Sequence, residues 1–216
     1  MIVRNLAVEG LTPETVPEVT VHSLVLVLCL WAAWRHPTAA AGTQYLVSKG
    51  PADAASNGAS YGIYLDAGVP TAYVRGSNGG PNVDFLPGVA ALPAGEWSHI
   101  AFTFDNATQA AALYVNGASV ATGTFTKGPP KDAGDLIIGA ADAVPASPFT
   151  GSLDELRFWS TARTAGEIGA VYASPLTGAE PDLLAYWRFD QGAGDALDAV
   201  GGLTAVVAGA TYVAES

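Results

Sequence analysis

Runs of apolar residues a few positions long, closed by Gly, Pro, Asn or Asp, recur along the chain at the spacing expected of a many-stranded antiparallel sandwich or barrel. The clearest stretch is Trp97 to Val120, WSHIAFTFDNATQAAALYVNGASV, which reads as strand, polar turn, strand, Asn-Gly turn, strand. Asn116-Gly117 tolerates the two positive φ angles of a type I′ turn, whose twist matches the strands on either side. Asp105 and Asn106 mark the earlier turn, because short polar side chains hydrogen-bond their own backbone there. The same reading predicts strands from Val3 to Val8, Ser23 to Trp34, Tyr45 to Ser48, Tyr61 to Leu65, Ala72 to Arg75, Asp84 to Leu86, Ser98 to Phe104, Ala110 to Val115, Ser119 to Thr124, Leu136 to Ile138, Gly151 to Trp159, Leu184 to Phe189 and Ala205 to Val213. One helix is predicted between Thr164 and Tyr172. Thr164 can cap it, Glu167 completes a capping box, and Ile168, Val171 and Tyr172 share a face. No linker interrupts the pattern, so residues 1–216 are expected to form a single all-β domain.

The run Leu24 to Trp34, LVLVLCLWAAW, is apolar at every position, whereas a strand with one wet face alternates. Both of its faces must therefore be covered. Leu24, Leu26, Leu28 and Leu30 share one face, and Val25, Val27, Cys29 and Trp31 the other; the second set needs cover from the chain itself or from a partner subunit. The run is far shorter than the ~18–20 residues that span a bilayer as a helix. Glu9, Glu14 and Glu18 precede it, which is unlike an export signal.

A chain of 216 residues buries about 70% of the surface its unfolded form exposes, so it folds without disulfides or metal. Cys29 is the sole cysteine, which excludes an internal disulfide framework and a multi-cysteine zinc site. The formal charge is −11, and that field repels phosphate backbones and anionic lipid, so nucleic acid is not an expected partner.

Several longer motifs resemble one family. GEWSHIAFTFD with ALYVNG is similar to the central hairpins of the laminin G-like and pentraxin branch of the concanavalin A-like jelly rolls. LIIGA, FTGSLDELRFWSTARTAGEI and LTGAEPDLLAYWRFDQGAG resemble its strand, single short helix and closing strand. The resemblance implies a two-sheet antiparallel jelly-roll sandwich whose concave face and rim loops bind glycans or protein surfaces, often with calcium. It also implies calcium ligands at Asp53 and Asn57 in the loop after YLVSKG and at Asp142 in the loop after LIIGA, with Asp154 a weaker candidate. Calcium takes six to eight oxygen ligands, so backbone carbonyls and water would have to complete such a site. Cys29 falls where pentraxins place a disulfide cysteine, but the matching position is Ala101, so that bridge cannot form.

No catalytic spacing accompanies these motifs. Asp154 and Glu155 are adjacent carboxylates, and glycoside hydrolysis uses a carboxylate pair, but neighbours on a strand point to opposite faces and cannot jointly flank one glycosidic bond. His22, His36 and His99 show no HxH or HExxH spacing, no GxSxG elbow appears, and no glycine-rich phosphate loop opens a helix. Trp97, Trp159 and Trp187 are expected between the sheets. Tyr61, Tyr64 and Tyr73, on neighbouring predicted strands, are the candidate exposed aromatic surface, joined by Asn57 as a ligand contact.

These observations favour a non-catalytic recognition module, binding carbohydrate or a protein surface, outside the cell or on a particle. The rival reading is a structural, decorating or adhesive component of a virion or extracellular particle, assembling through Leu24 to Trp34. A glycoside hydrolase or lyase is the third.

Overall fold

The computed structural model describes residues 6–9, 25–34, 42–49, 60–75, 83–126, 136–141, 147–207 and 210–212. The fold is all-β, with one helix among the described residues. Its strands are β1 (Leu6–Glu9), β2 (Val25–Trp34), β3 (Thr43–Lys49), β4 (Ser60–Asp66), β5 (Val69–Arg75), β6 (Val83–Pro87), β7 (Trp97–Asp105), β8 (Ala110–Val115), β9 (Ala118–Thr124), β10 (Leu136–Ile138), β11 (Gly151–Trp159), β12 (Leu183–Trp187), β13 (Ala196–Leu197) and β14 (Thr204–Val207), with α1 (Ala165–Val171) between β11 and β12. They pair antiparallel in an eight-stranded sheet, ordered β13, β14, β1, β10, β3, β4, β5, β6, and a six-stranded sheet, ordered β12, β11, β2, β7, β8, β9.

Turn chemistry sets the hairpins. Asn116 and Gly117 have φ of 50° and 78°, the pair of positive angles a type I′ turn demands, and Ala67 and Gly68 do the same between β4 and β5 at 47° and 85°. The Asp105 carboxylate accepts from the Ala107 amide at 2.8 Å, closing the predicted Asx turn. β13, only two residues long, has no counterpart in the sequence reading because so short a run carries no periodicity.

β2 lies between β11 and β7, so both of its backbone edges are occupied. Its register sets Leu26, Leu28 and Leu30 opposite Phe104, Phe102 and Ile100, and Cys29 opposite Ala101, the position where a second sulfur would be needed. Phe104, Phe102 and Ile100 belong to a buried cluster that draws on both sheets, together with Ile63, Leu65, Val74, Leu113 and Trp187. Ala101 and Tyr114, on the other face of β7 and β8, belong to a second cluster with Trp159, Ile168, Leu176, Leu183 and Tyr186. The segment around α1 therefore covers the outer face of the six-stranded sheet here, from within the same chain.

The helix begins with the expected capping box: Thr164 Oγ1 accepts from the Glu167 amide, and the Glu167 carboxylate accepts from the Thr164 amide. A bulge between Asp154 and Arg157 in β11 decides which side chains face α1. Glu155 sits in it at φ 54°, so Leu153 is followed into the core by Leu156 and Phe158 rather than by Glu155 and Arg157. The tryptophans depart from expectation in two places. Trp97, at the start of β7, is 46% exposed, and Trp159 is buried on the α1 side; Trp187 is in the shared core.

The sheets meet along both seams. The Asp84 carboxylate of β6 accepts from the amide and hydroxyl of Thr126, just beyond β9. On the far side, Trp187 of β12 forms a bridge with Asp198, just beyond β13. The buried Asp198 carboxylate also accepts from the amides of Tyr186, Val200 and Gly201, which satisfies a charge that would otherwise be costly to bury.

Candidate functional site

Four aromatic side chains meet on the face of the eight-stranded sheet that points away from the shared core. Register builds the group: Tyr45 pairs with Tyr64 across β3 and β4, Tyr73 of β5 pairs with Gly62, and Phe85 of β6 pairs with Tyr73. Tyr45 and Tyr64 ring centres are 5.3 Å apart, Tyr45 and Tyr73 6.1 Å, Tyr64 and Tyr73 6.0 Å, and Tyr64 and Phe85 6.4 Å. Phe85 is 54% exposed, Tyr45 and Tyr64 are half-buried, and Tyr73 is buried. Gly62 makes room for the group, since a Cβ there would come within 3.0 Å of the Tyr73 ring and 2.2 Å of the Val47 carbonyl oxygen. Burial raises the Tyr45 phenol above its ordinary pKa, against the opposing charge of Arg75. Burial, then repulsion from the negative charges that the Tyr45 phenol and Asp66 carry when ionised, raises Tyr64, while a hydrogen bond with Thr71 opposes them. The phenols stay neutral at physiological pH. The surface can stack and hydrogen-bond; it supplies no acid-base pair.

Of the three tyrosines read from the sequence, Tyr64 and Tyr73 come together and Tyr61 does not. Tyr61 is three residues from Tyr64 on one strand, which puts it on the opposite face, where it packs against the shared core and burial raises its phenol pKa. Tyr45 and Phe85 were missed. Their signal was alternation within TQYLVSK and VDFLP, but only the sheet order brings those strands beside β4 and β5.

Asp53, Asn57 and Asp142 lie outside the described residues. Among the described residues, no group of three or more His, Cys, Asp or Glu is placed to hold a metal ion. Asp154 accepts from the Glu155 amide at 2.9 Å. Glu155 pairs with Arg157 and accepts from the Tyr186 hydroxyl, and Arg157 donates to the carbonyls of Val171 and Ser174. The two adjacent carboxylates thus do not flank a common groove: one closes the bulge and the other ties the end of α1 to the sheet. Beneath α1 is a cavity of about 240 Å³ lined by His99, Arg157, Trp159, Ile168, Tyr172 and Leu176 among others. Burial, then the Arg157 charge, lowers the His99 pKa to about 3, so the imidazole there is neutral.

A family model described as the concanavalin A-like lectin/glucanases superfamily matches residues 30–169. The chain belongs to that superfamily. No curated protein matches it in sequence. Superfamily architecture is evident in solved structures. A putative carbohydrate binding protein from Bacteroides ovatus superposes with a TM-score of 0.66 at 17% identity, over 95% of this chain and 58% of that one. This chain therefore spans little more than half of that relative. The heptameric SAP-like pentraxin from Limulus polyphemus gives 0.59 at 15% identity, over 98% of this chain and 92% of that one. The CBM40 of the Ruminococcus gnavus IT-sialidase, solved bound to alpha2,3 sialyllactose, gives 0.59 at 16% identity, over 80% and 95%. At such identities the likeness is one of fold. No helix among the described residues is long and apolar enough to cross a membrane.

Proposed function

We propose that this chain is a non-catalytic recognition module that binds carbohydrate on the aromatic face formed by Tyr45, Tyr64, Tyr73 and Phe85, carried on a two-sheet jelly-roll sandwich that includes residues 1–216 as one domain. The observation that carries this reading is an exposed phenylalanine beside half-buried tyrosines on a sheet face, since aromatic rings stack on the apolar faces of sugars while phenol hydroxyls meet their polar edges. Likeness to a putative carbohydrate binding protein and to a sialidase CBM40 supports it. Asp53, Asn57 and Asp142 would hold calcium at the rim, where the cation would add an electrostatic anchor for sugar hydroxyls. In this reading the protein works outside the cell, on a cell surface or on a particle.

The test is a glycan array probed with and without calcium. Signal on one glycan class is expected, with Phe85→Ala lowering affinity by about fivefold to tenfold, the effect of losing one aromatic contact. Val89→Ala, at a position 82% exposed and away from the aromatic face, should leave binding unchanged. Silence under both conditions, or binding indifferent to Phe85→Ala, contradicts the proposal.

A further inference from the structure

The aromatic face has a shape that discriminates among carbohydrates, and the inference from it rests on the carbohydrate reading above. The ring centres of Tyr45, Tyr64 and Tyr73 form a triangle with sides of 5.3, 6.1 and 6.0 Å. The three tyrosine rings are mutually inclined, Tyr45 and Tyr64 by 37°, Tyr64 and Tyr73 by 48° and Tyr45 and Tyr73 by 84°, and Phe85 stands at 85° to Tyr64. Stacking on a sugar requires the aromatic face to lie parallel to the sugar ring. A polysaccharide packed in a crystal lays successive sugar rings in one plane, and these aromatic rings cannot lie parallel to that plane together.

Spacing argues the same way. A linear binding site would string its aromatic rings along one direction, each under a successive sugar. Here three rings crowd round one point, with Tyr73 buried, Tyr45 and Tyr64 half-buried beside it, and Phe85 flanking Tyr64 with about half of its surface uncovered. The geometry points to recognition of a single sugar unit of a soluble glycan, such as a chain end or a branch, and not of a crystalline surface or a long run of sugars. Phe85 is the stacking ring, and the half-buried, mutually tilted Tyr45 and Tyr64 flank that one unit.

The full chain is tested against a soluble glycan array and against suspensions of microcrystalline cellulose and chitin, and each array hit is then competed with the methyl glycosides of its constituent sugars. Expected are binding to soluble glycans, absence from both pellets, and displacement by one methyl glycoside with affinity within about tenfold of the whole glycan. Phe85→Ala should weaken the methyl glycoside and the whole glycan by the same factor. Sedimentation with either suspension overturns the inference while leaving carbohydrate recognition standing. So does affinity that climbs about tenfold with each added sugar, or a Phe85→Ala penalty that grows with glycan length. Absence of binding to array and suspensions alike removes the carbohydrate reading and this inference with it.

Discussion

His99 shows how one residue couples the chemistry of the interior to pH. It is buried against Tyr172, whose ring centre lies 5.7 Å away, and its amide donates to the Asn116 side chain at 2.8 Å. Its pKa falls from 6.5 to about 3 through burial and the nearby Arg157 charge. Between those values the unfolded chain binds a proton that the folded chain refuses, so unfolding takes up a proton and stability rises with pH. The stabilisation is full above pH 6.5 and is lost as pH falls toward about 3, at about 1.4 kcal/mol per pH unit for one proton. Urea denaturation at a series of acidic pH values should show that slope, and His99→Gln should flatten it relative to the parent chain. Equal slopes in the two proteins would mean that His99 gains its proton without unfolding.

At the scale of elements, the β8–β9 turn and α1 are built for each other. Gly117 has φ 78° and a Cβ there would stand 2.8 Å from the Tyr172 ring, so glycine is required both by the backbone and by the helix end against it. Gly117→Ala should cost about 2–4 kcal/mol in urea denaturation, combining left-handed strain with overpacking. Adding Tyr172→Ala should recover the overpacking share, leaving a double variant less destabilised than the sum of the singles. Such turns were legible in the sequence, because Asn-Gly and the capping residues act through their own backbone. So were the strands of the two hairpins after Trp97. The bulge at Glu155 was written less plainly, in apolar positions Leu153, Leu156 and Phe158 that change parity midway along β11. Tyr186, which meets Glu155, comes from a distant strand and could not be placed without the sheet order. The aromatic face was half legible: alternation separates Tyr61 from Tyr64, but Tyr45 and Phe85 join only through pairing between strands whose neighbours the sequence does not state.

For the whole molecule, a charge of −11 and a neutral aromatic face fit a ligand held by stacking and hydrogen bonds rather than by long-range attraction. The carboxylates of Asp84 and Asp198 have a further effect at this scale. A sheet that stops at an open margin offers its backbone as a template on which other chains can add, the route to fibres. Here the Asp84 carboxylate clips one margin to Thr126, and the Asp198 carboxylate, accepting from the Tyr186 amide, clips the opposite one. Asp84→Ala should therefore shorten the lag before thioflavin-positive aggregates form under gentle shaking, with little change in the far-ultraviolet dichroism of fresh protein; an unchanged lag would show that this clip does not guard the margin. A protein displayed at high density on a surface would gain from such clips, because crowded copies could stand side by side without their sheets running together.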